Sequence, residues 1–140
     1  MAKYMLDTNM CIFLMKNYPE QVARRLAQCA EGEVVVSAVT LAELEYGVSV
    51  SADPSASRKA LGKLMDKLPV LSWSATAAKA YVPVRAARPK GKADAMDKLI
   101  AAHAIDGGVT VVTNNTKDFA YPGLSVEDWT VVARAYNGSD

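Results

Sequence analysis

Three acidic side chains stand where a predicted β-strand meets a predicted α-helix. Asp7 directly follows a short apolar run, Glu43 lies in the second turn of the helix after the second strand, and Asp97 lies early in the helix that leads to the fourth. The carboxyl ends of parallel strands meet at one edge of an open α/β sheet, and ligands bind there. We therefore expect these three acids to lie close together, and Asn115, just beyond the last inner strand, to reach the same edge.

Carboxylates gathered in this way predict a cation site. Close carboxylates repel each other, and without a cation at least one of them takes up a proton. A group of hard oxygen ligands that contains no histidine or cysteine suits Mg²⁺ or Mn²⁺ rather than zinc. Taken singly, each acid also has a structural interpretation: Asp7 as a helix cap, Glu43 as a solvated helix residue and Asp97 as an early-turn residue. Their joint placement favours the cation site.

Other reactive side chains are poorer candidates for catalysis. His103 is the single histidine, which excludes a metal-free ribonuclease that uses a pair of histidines as acid and base. It lies six residues after Asp97 in an alanine-rich segment, and we interpret it as a packing or hydrogen-bonding residue. Ser37 and Thr40 have no nearby base in the sequence and are poor nucleophiles.

The elements that must position these residues form a predicted α/β pattern. Short apolar runs predict strands at residues 4–6, 34–36, 69–72, 109–112 and 124–126. Helices are predicted between them, capped or begun by Thr8 or Asn9, Pro19, Ser37, Asp53, Ser74 and Ala93. The helices after Ser37 and Asp53 are expected to form a helical hairpin. This order predicts a single three-layer α/β/α domain with a central, mostly parallel sheet of four or five strands.

Length and charge narrow the class of protein. The chain has 140 residues, enough for one core, and we expect a domain at residues 1–132 with a flexible tail at 133–140. With a net charge of +1, the protein as a whole does not attract polyanions, so any polyanion must be held by local groups. A local basic patch lies between Arg85 and Lys98, with five basic residues and two acids. The alternative interpretation is that these basic residues belong to a solvated helix face and loop.

The number of cysteines and the lengths of the apolar runs indicate in which compartment the protein is found. Two cysteines, Cys11 and Cys29, are too few for a disulfide framework, and a reducing cytoplasm fits best. No apolar run of eighteen residues is present, and Asp7 interrupts what would be the core of a signal peptide. We expect a cytoplasmic protein that does not span or bind a membrane.

Four segments around the candidate site form a recognisable set of motifs: residues 5–9 (MLDTN), 37–44 (SAVTLAEL), 97–104 (DKLIAAHA) and 112–119 (VTNNTKDF). Together, and in this order, they resemble the PIN domain and, more narrowly, the VapC toxins of bacterial toxin–antitoxin pairs. The similarity runs from about Tyr4 to Trp129.

The resemblance implies a metal-dependent endoribonuclease. Asp7, Glu43 and Asp97 match the family's acids and would bind Mg²⁺, for which Mn²⁺ can substitute, while Asn115 takes a fourth catalytic position that many members fill with Asp. Thr8 and Thr113 match hydroxyl positions that support the acids. The family also implies an RNA substrate, with tRNA as a candidate, a cognate antitoxin and a homodimer.

The loop before the third acid departs from the family pattern. Members place this acid shortly after a Gly-x-Pro-x-Gly loop, whereas Asp94 and Asp97 both follow the loop here. We favour Asp97, because its six-residue distance to His103 fits the motif, and treat Asp94 as a substitute or supporting group. The basic side chains nearby are the predicted RNA-binding residues, namely Arg85, Arg88, Lys90 and Lys92.

Two other functions remain open from the sequence. A phosphatase of the haloacid dehalogenase type also begins with an aspartate at a strand end, but it needs a second aspartate where this chain has Asn9. A PIN-like domain that binds RNA or protein without cutting is the other alternative.

Overall fold

A five-stranded parallel sheet forms the centre of the protein in a computed structural model that describes residues 1–87 and 95–131. The strands are β1 (Tyr4–Leu6), β2 (Val34–Ser37), β3 (Val70–Leu71), β4 (Thr110–Val112) and β5 (Val126–Glu127), arranged in the order β3-β2-β1-β4-β5. Every neighbouring pair is parallel, which confirms the predicted parallel α/β fold.

Six α-helices connect or follow these strands within the described ranges. They are α1 (Thr8–Lys16), α2 (Glu20–Ala27), α3 (Ala38–Ser49), α4 (Pro54–Met65), α5 (Ala75–Ala87) and α6 (Ala95–Gly107), and a short 3-10 helix (Thr116–Phe119) precedes β5. The order agrees with the prediction, and α3 packs against α4 in the expected hairpin. The boundaries differ slightly: α2 ends before the predicted Ala30, and α3 continues past Gly47.

The sheet separates two apolar cores, which confirms the three layers. Leu6 and Val36 face a core that includes residues of α1 to α4. Met5 and Val35 face the other core, which α5 and α6 cover. Successive residues of a strand point to opposite faces, so the short central strands β1 and β2 supply both cores at once.

The first helix is capped by Asp7, in agreement with the structural interpretation of that residue, and not by Thr8 or Asn9. The Asp7 carboxylate accepts a hydrogen bond from the Met10 amide at 2.9 Å. Asp7 is the one residue between the end of β1 and the start of α1, and it has the extended backbone that is typical of an N-cap. Ser37 caps α3 as predicted.

Three side chains lie in a row at the carboxyl edge of the sheet. In the strand register Met5 pairs with Val35 and Leu6 with Val112. Continuing both ladders places Asp7 level with Ser37 on one side and with Thr113 on the other. All three are buried, so polar side chains form the end of the central strands.

None of the helices in the described ranges is long and apolar enough to cross a lipid bilayer. The predicted tail at residues 133–140 lies outside the described residues, and the domain boundaries remain a prediction.

Candidate active site

A cavity of about 140 Å³ opens at the carboxyl edge of the sheet. It is lined by Asp7, Thr8, Asn9, Glu43, Asp97 and Asn115. The predicted acids come from three separate elements: Asp7 precedes α1, Glu43 belongs to α3, and Asp97 belongs to the first turn of α6. The structure therefore brings together all three predicted acids, as well as Asn115 and Thr8.

Asp7 is the most buried of the acids, with 4% of its surface exposed. Desolvation by burial raises its pKa from 3.8 to about 6. Hydrogen bonds donated by the Thr113 hydroxyl and the Met10 amide act in the opposite direction, and the charges of Glu43 and Asp128 make smaller contributions that also raise the pKa to this value. The fold thus holds a carboxylate in a place that favours its neutral form unless a positive charge is nearby.

Two threonines hold the side chains around Asp7. The Thr8 hydroxyl donates a short hydrogen bond to Oε1 of Glu43, which links α1 to α3. The Thr113 hydroxyl donates to Asp7 and accepts a hydrogen bond from the Asn115 amide at 2.9 Å. Each threonine therefore contacts one of the predicted acids, and a supporting role in catalysis stays a prediction.

Comparison with known proteins identifies the family. The PIN domain family model matches residues 4–122. The chain is 39% identical to the tRNA(fMet)-specific endonuclease VapC of Shigella flexneri, over 93% of this chain and 100% of that protein. This chain belongs to the PIN domain family. That assignment also removes the haloacid dehalogenase alternative, and it confirms the predicted enzyme class, because such relatives are named as endonucleases or ribonucleases.

Solved structures show the same PIN domain architecture. The VapBC2 complex of Rickettsia felis, bound to a DNA fragment from its promoter, contains a chain that matches with a TM-score of 0.84 and 32% identity. The match covers 90% of this chain and 98% of that one. The DNA-bound VapBC complex of Salmonella typhimurium gives a TM-score of 0.84 and 38% identity, covering 92% of this chain and 99% of the other.

Asp128 is a neighbour of the PIN domain site that the sequence did not reveal. It follows β5, adds to the negative charge that raises the pKa of Asp7, and accepts hydrogen bonds from the amide and hydroxyl of Thr130 at 2.8 and 2.6 Å. The predicted edge strand ended at residue 126, whereas β5 ends at Glu127. Placing the strand end correctly would have put Asp128 at the same edge as Asp7.

Asn9 is a second lining residue that was not among the predicted site residues. Its side-chain amide donates to Oδ1 of Asn114, which does not line the cavity, at 3.4 Å. Its position two residues after Asp7 was the available signal.

His103 has the hydrogen-bonding role that was predicted. It is 5% exposed, and Nδ1 lies 2.8 Å from the Ser37 hydroxyl. Burial lowers the pKa of the imidazole, which favours its neutral form. Neither His103 nor Ser37 lines the cavity.

Only part of the predicted basic patch lies within the described residues. Arg85, near the end of α5, is exposed, whereas Lys98 in α6 is buried and does not belong to an open basic surface. The predicted RNA-binding residues Arg88, Lys90 and Lys92 lie outside the described residues. So does Asp94, the alternative third acid.

The cavity's donor set fits a hydrated magnesium ion. All its candidate ligands are carboxylate, hydroxyl or amide oxygens, and the buried charge of Asp7 is one that a cation would stabilise. Within residues 1–87 and 95–131, no three His, Cys, Asp or Glu side chains are arranged to hold a metal ion directly. Mg²⁺ commonly retains several waters and takes only one or two carboxylates, so Asp7, Glu43 and Asp97 suit an ion held partly through water.

Proposed function

We propose that this PIN domain is a Mg²⁺-dependent endoribonuclease and acts as the toxin of a toxin–antitoxin pair. The observation that carries the proposal is the single cavity lined by Asp7, Glu43, Asp97 and Asn115, in a chain whose relatives are ribonucleases. Hydrolysis of a phosphodiester needs groups that hold a water and offset the phosphate charge. Carboxylates around a hard cation meet both needs.

The contacts of each side chain indicate its role in this hydrolysis. Asp7 is fixed by hydrogen bonds from Met10 and Thr113, so it is a rigid ligand at the floor of the cavity. Glu43 is oriented by Thr8, and Asp97 approaches from α6. Asn115 is neutral and offers an amide that can orient a water or a phosphate oxygen without adding to the repulsion.

Bound Mg²⁺, as one ion or two, would lower the pKa of a coordinated water and offset negative charge on the scissile phosphate and leaving oxygen. The three carboxylates would hold it, and Mn²⁺ would substitute. Without the cation, the neutral form of Asp7 is favoured near and below pH 6.

The substrate we propose is RNA, with tRNA as the favoured class, because the relative from Shigella flexneri is named for tRNA(fMet). Arg85 is exposed beside the start of the basic segment that continues with Arg88, Lys90 and Lys92. Side chains of this type hold phosphates on either side of the cleaved bond. We place the enzyme in the cytoplasm, where the free thiols of Cys11 and Cys29 persist.

Cleavage of labelled RNA in Mg²⁺ or Mn²⁺ tests the proposal. Asp7→Asn, Glu43→Gln and Asp97→Asn should each abolish cleavage while the protein remains folded. Glu45→Gln is the matched control, because Glu45 lies on the same helix as Glu43, is exposed and pairs with Arg58 instead. Asp94→Asn should retain activity if Asp97 is the third acid.

Cleavage by all three acid variants would disprove the proposed mechanism. RNA binding by the wild type without cleavage in either metal would favour the non-catalytic PIN-like alternative. Mapping the new 5′ ends produced in total cellular RNA would then identify the substrate.

The partner we propose is a cognate antitoxin, because related chains were solved in VapBC complexes. A groove of about 680 Å³ runs between α1, α2 and α4. Its floor contains Leu14, Met15 and Leu26, and three lysines of α4 and the following turn border it: Lys59, Lys63 and Lys67. An amphipathic segment with acidic residues would complement this surface.

Gel filtration with and without the neighbouring gene product tests whether an antitoxin binds this chain. The double variant Lys59→Glu with Lys63→Glu should weaken the complex.

We also propose a homodimer. Tyr46 of α3 and Val50, which directly follows that helix, are 68% and 60% exposed, and neighbouring exposed apolar side chains can form a patch where subunits meet. Analytical ultracentrifugation of the wild type and Tyr46→Glu tests this. A monomeric wild type at micromolar concentration would contradict it.

A further inference from the structure

A buried hydrogen bond links the two parts of the sheet edge that carry the acids. The Ser37 hydroxyl lies 2.8 Å from Nδ1 of His103, and the two side chains are 0% and 5% exposed. Ser37 ends β2 level with Asp7 and is also the N-cap of α3, which carries Glu43. His103 belongs to α6, six residues after Asp97.

In this hydrogen bond Ser37 is the donor and His103 is the acceptor. The Ser37 hydroxyl accepts a hydrogen bond from the Val39 amide at 3.1 Å, so its proton is free to be donated to Nδ1 of a neutral imidazole. Because both groups are buried, loss of one partner leaves the other without water to replace it. The pair therefore fixes a separation and an orientation between α6 and the start of α3.

Besides its packing against α3, α6 makes two hydrogen bonds to a different part of the molecule. Trp73 donates to the Leu99 carbonyl at 2.9 Å, and Thr76 donates to Asp106 at 2.9 Å, so both fasten α6 to the β3–α5 side. The buried face of α6 is otherwise rich in small side chains, including Ala101, Ala102 and Ala104. Small side chains interlock weakly and resist sliding less than large ones.

We propose that Ser37 and His103 are positioning residues that set the place of Asp97 relative to Asp7 and Glu43. The inference deepens the proposed nuclease function and rests on it. With a rise of about 1.5 Å per residue, Asp97 lies about 9 Å along the helix from His103, so a tilt of about 5° there moves Asp97 by about 0.8 Å. Misplacement of this size can reduce turnover by about a hundredfold.

His103→Phe and His103→Asn form the first test pair. Phe fills the space of the ring without the hydrogen bond, whereas Asn places its amide oxygen near the position of Nδ1, where it can accept the Ser37 proton. We expect His103→Phe to lower kcat for RNA cleavage by about tenfold or more, with KM changed less than about threefold, and His103→Asn to recover most of the loss. Crystal structures of the three proteins should show Asp97 displaced from Asp7 in the Phe variant and restored in the Asn variant.

Ser37→Ala and Asp53→Ala form the second pair. Each removes a helix N-cap, Ser37 from α3 and Asp53 from α4, so both should lower Tm. Only Ser37→Ala also breaks the contact with His103, so only it should lower kcat and weaken Mn²⁺ binding measured by calorimetry. Ser37→Ala combined with His103→Phe should be no worse in kcat than the poorer single variant.

Two outcomes would overturn the inference: an Asp97 carboxylate that stays in place in the His103→Phe structure, or equal kcat losses in Ser37→Ala and Asp53→Ala. The crystal structures test the positioning even if the wild type does not cleave RNA. In that case the proposed function fails, and the displacement of Asp97 is still measured.

Discussion

The Thr8 hydroxyl donates a hydrogen bond to Oε1 of Glu43, although 35 residues separate them in the chain. Thr8 is the first residue of α1 and follows Asp7 directly, so one short segment supplies both an acid and the donor that orients a second acid. Glu43 is only half-buried, and a side chain of its length has several rotamers open to it. The Thr8 contact therefore selects the rotamer that directs the Glu43 carboxylate into the cavity.

Thr8→Val should leave the fold intact and lower cleavage by about tenfold to a hundredfold, because the valine keeps the shape of the side chain but cannot donate to Glu43. Thr8→Ser retains the hydroxyl and should stay within a few-fold of the wild type. Initial rates of RNA cleavage at saturating Mg²⁺ measure both. Equal activity in Thr8→Val and Thr8→Ser would show that the hydroxyl does not orient Glu43.

Asp7 should destabilise the metal-free protein at neutral pH. Its pKa is 3.8 in the unfolded chain and about 6 in the folded protein, so between these values the folded state holds more protons. Stability from this group is therefore lost as the pH rises from about 4 to 6, by about 3 kcal/mol in total. Asp7→Asn, which can still cap α1, should raise Tm in EDTA at pH 7.5 and change it little at pH 4.

Calorimetric melting at the two pH values checks this expectation. An Asp7→Asn variant that is less stable than the wild type at pH 7.5 would contradict it. Mn²⁺ affinity of the wild type should also fall about tenfold for each pH unit below 6, since the neutral carboxyl must lose its proton to bind the ion.

The sequence predicted which acids would line one cavity, because the main determinants of that placement are local. Asp7 follows β1 directly and Asn115 is the third residue after β4, and a parallel sheet brings strand ends to one edge whatever the details of packing. Asp128 was missed because β5 is only two residues long, too short for a periodic pattern that marks its end. The link between Ser37 and His103 could not be predicted, since it joins residues 66 positions apart and depends on how α6 packs.

Asn115→Asp should strengthen metal binding. It adds a fourth carboxylate to the cavity, and the attraction to a divalent ion should tighten Mn²⁺ binding by about tenfold or more. The same charge should lower Tm in EDTA, because it repels Asp7. Asn114→Asp is the matched control, since Asn114 is exposed and does not line the cavity. Titration calorimetry with Mn²⁺ would contradict the prediction if both variants bound like the wild type.

The basic segment should determine how RNA binding depends on salt. For single-stranded RNA, the slope of log affinity against log salt changes by about 0.7 for each phosphate contact. Replacing Arg85, Arg88, Lys90 and Lys92 together by alanine, in an Asp97→Asn background that cannot cleave, should therefore flatten the slope by up to about 2.8. Lys59→Ala in the same background should leave it unchanged, because Lys59 borders the apolar groove instead. Fluorescence anisotropy between about 50 and 200 mM salt measures the slope, and an unchanged value in the fourfold variant would assign RNA binding to another surface.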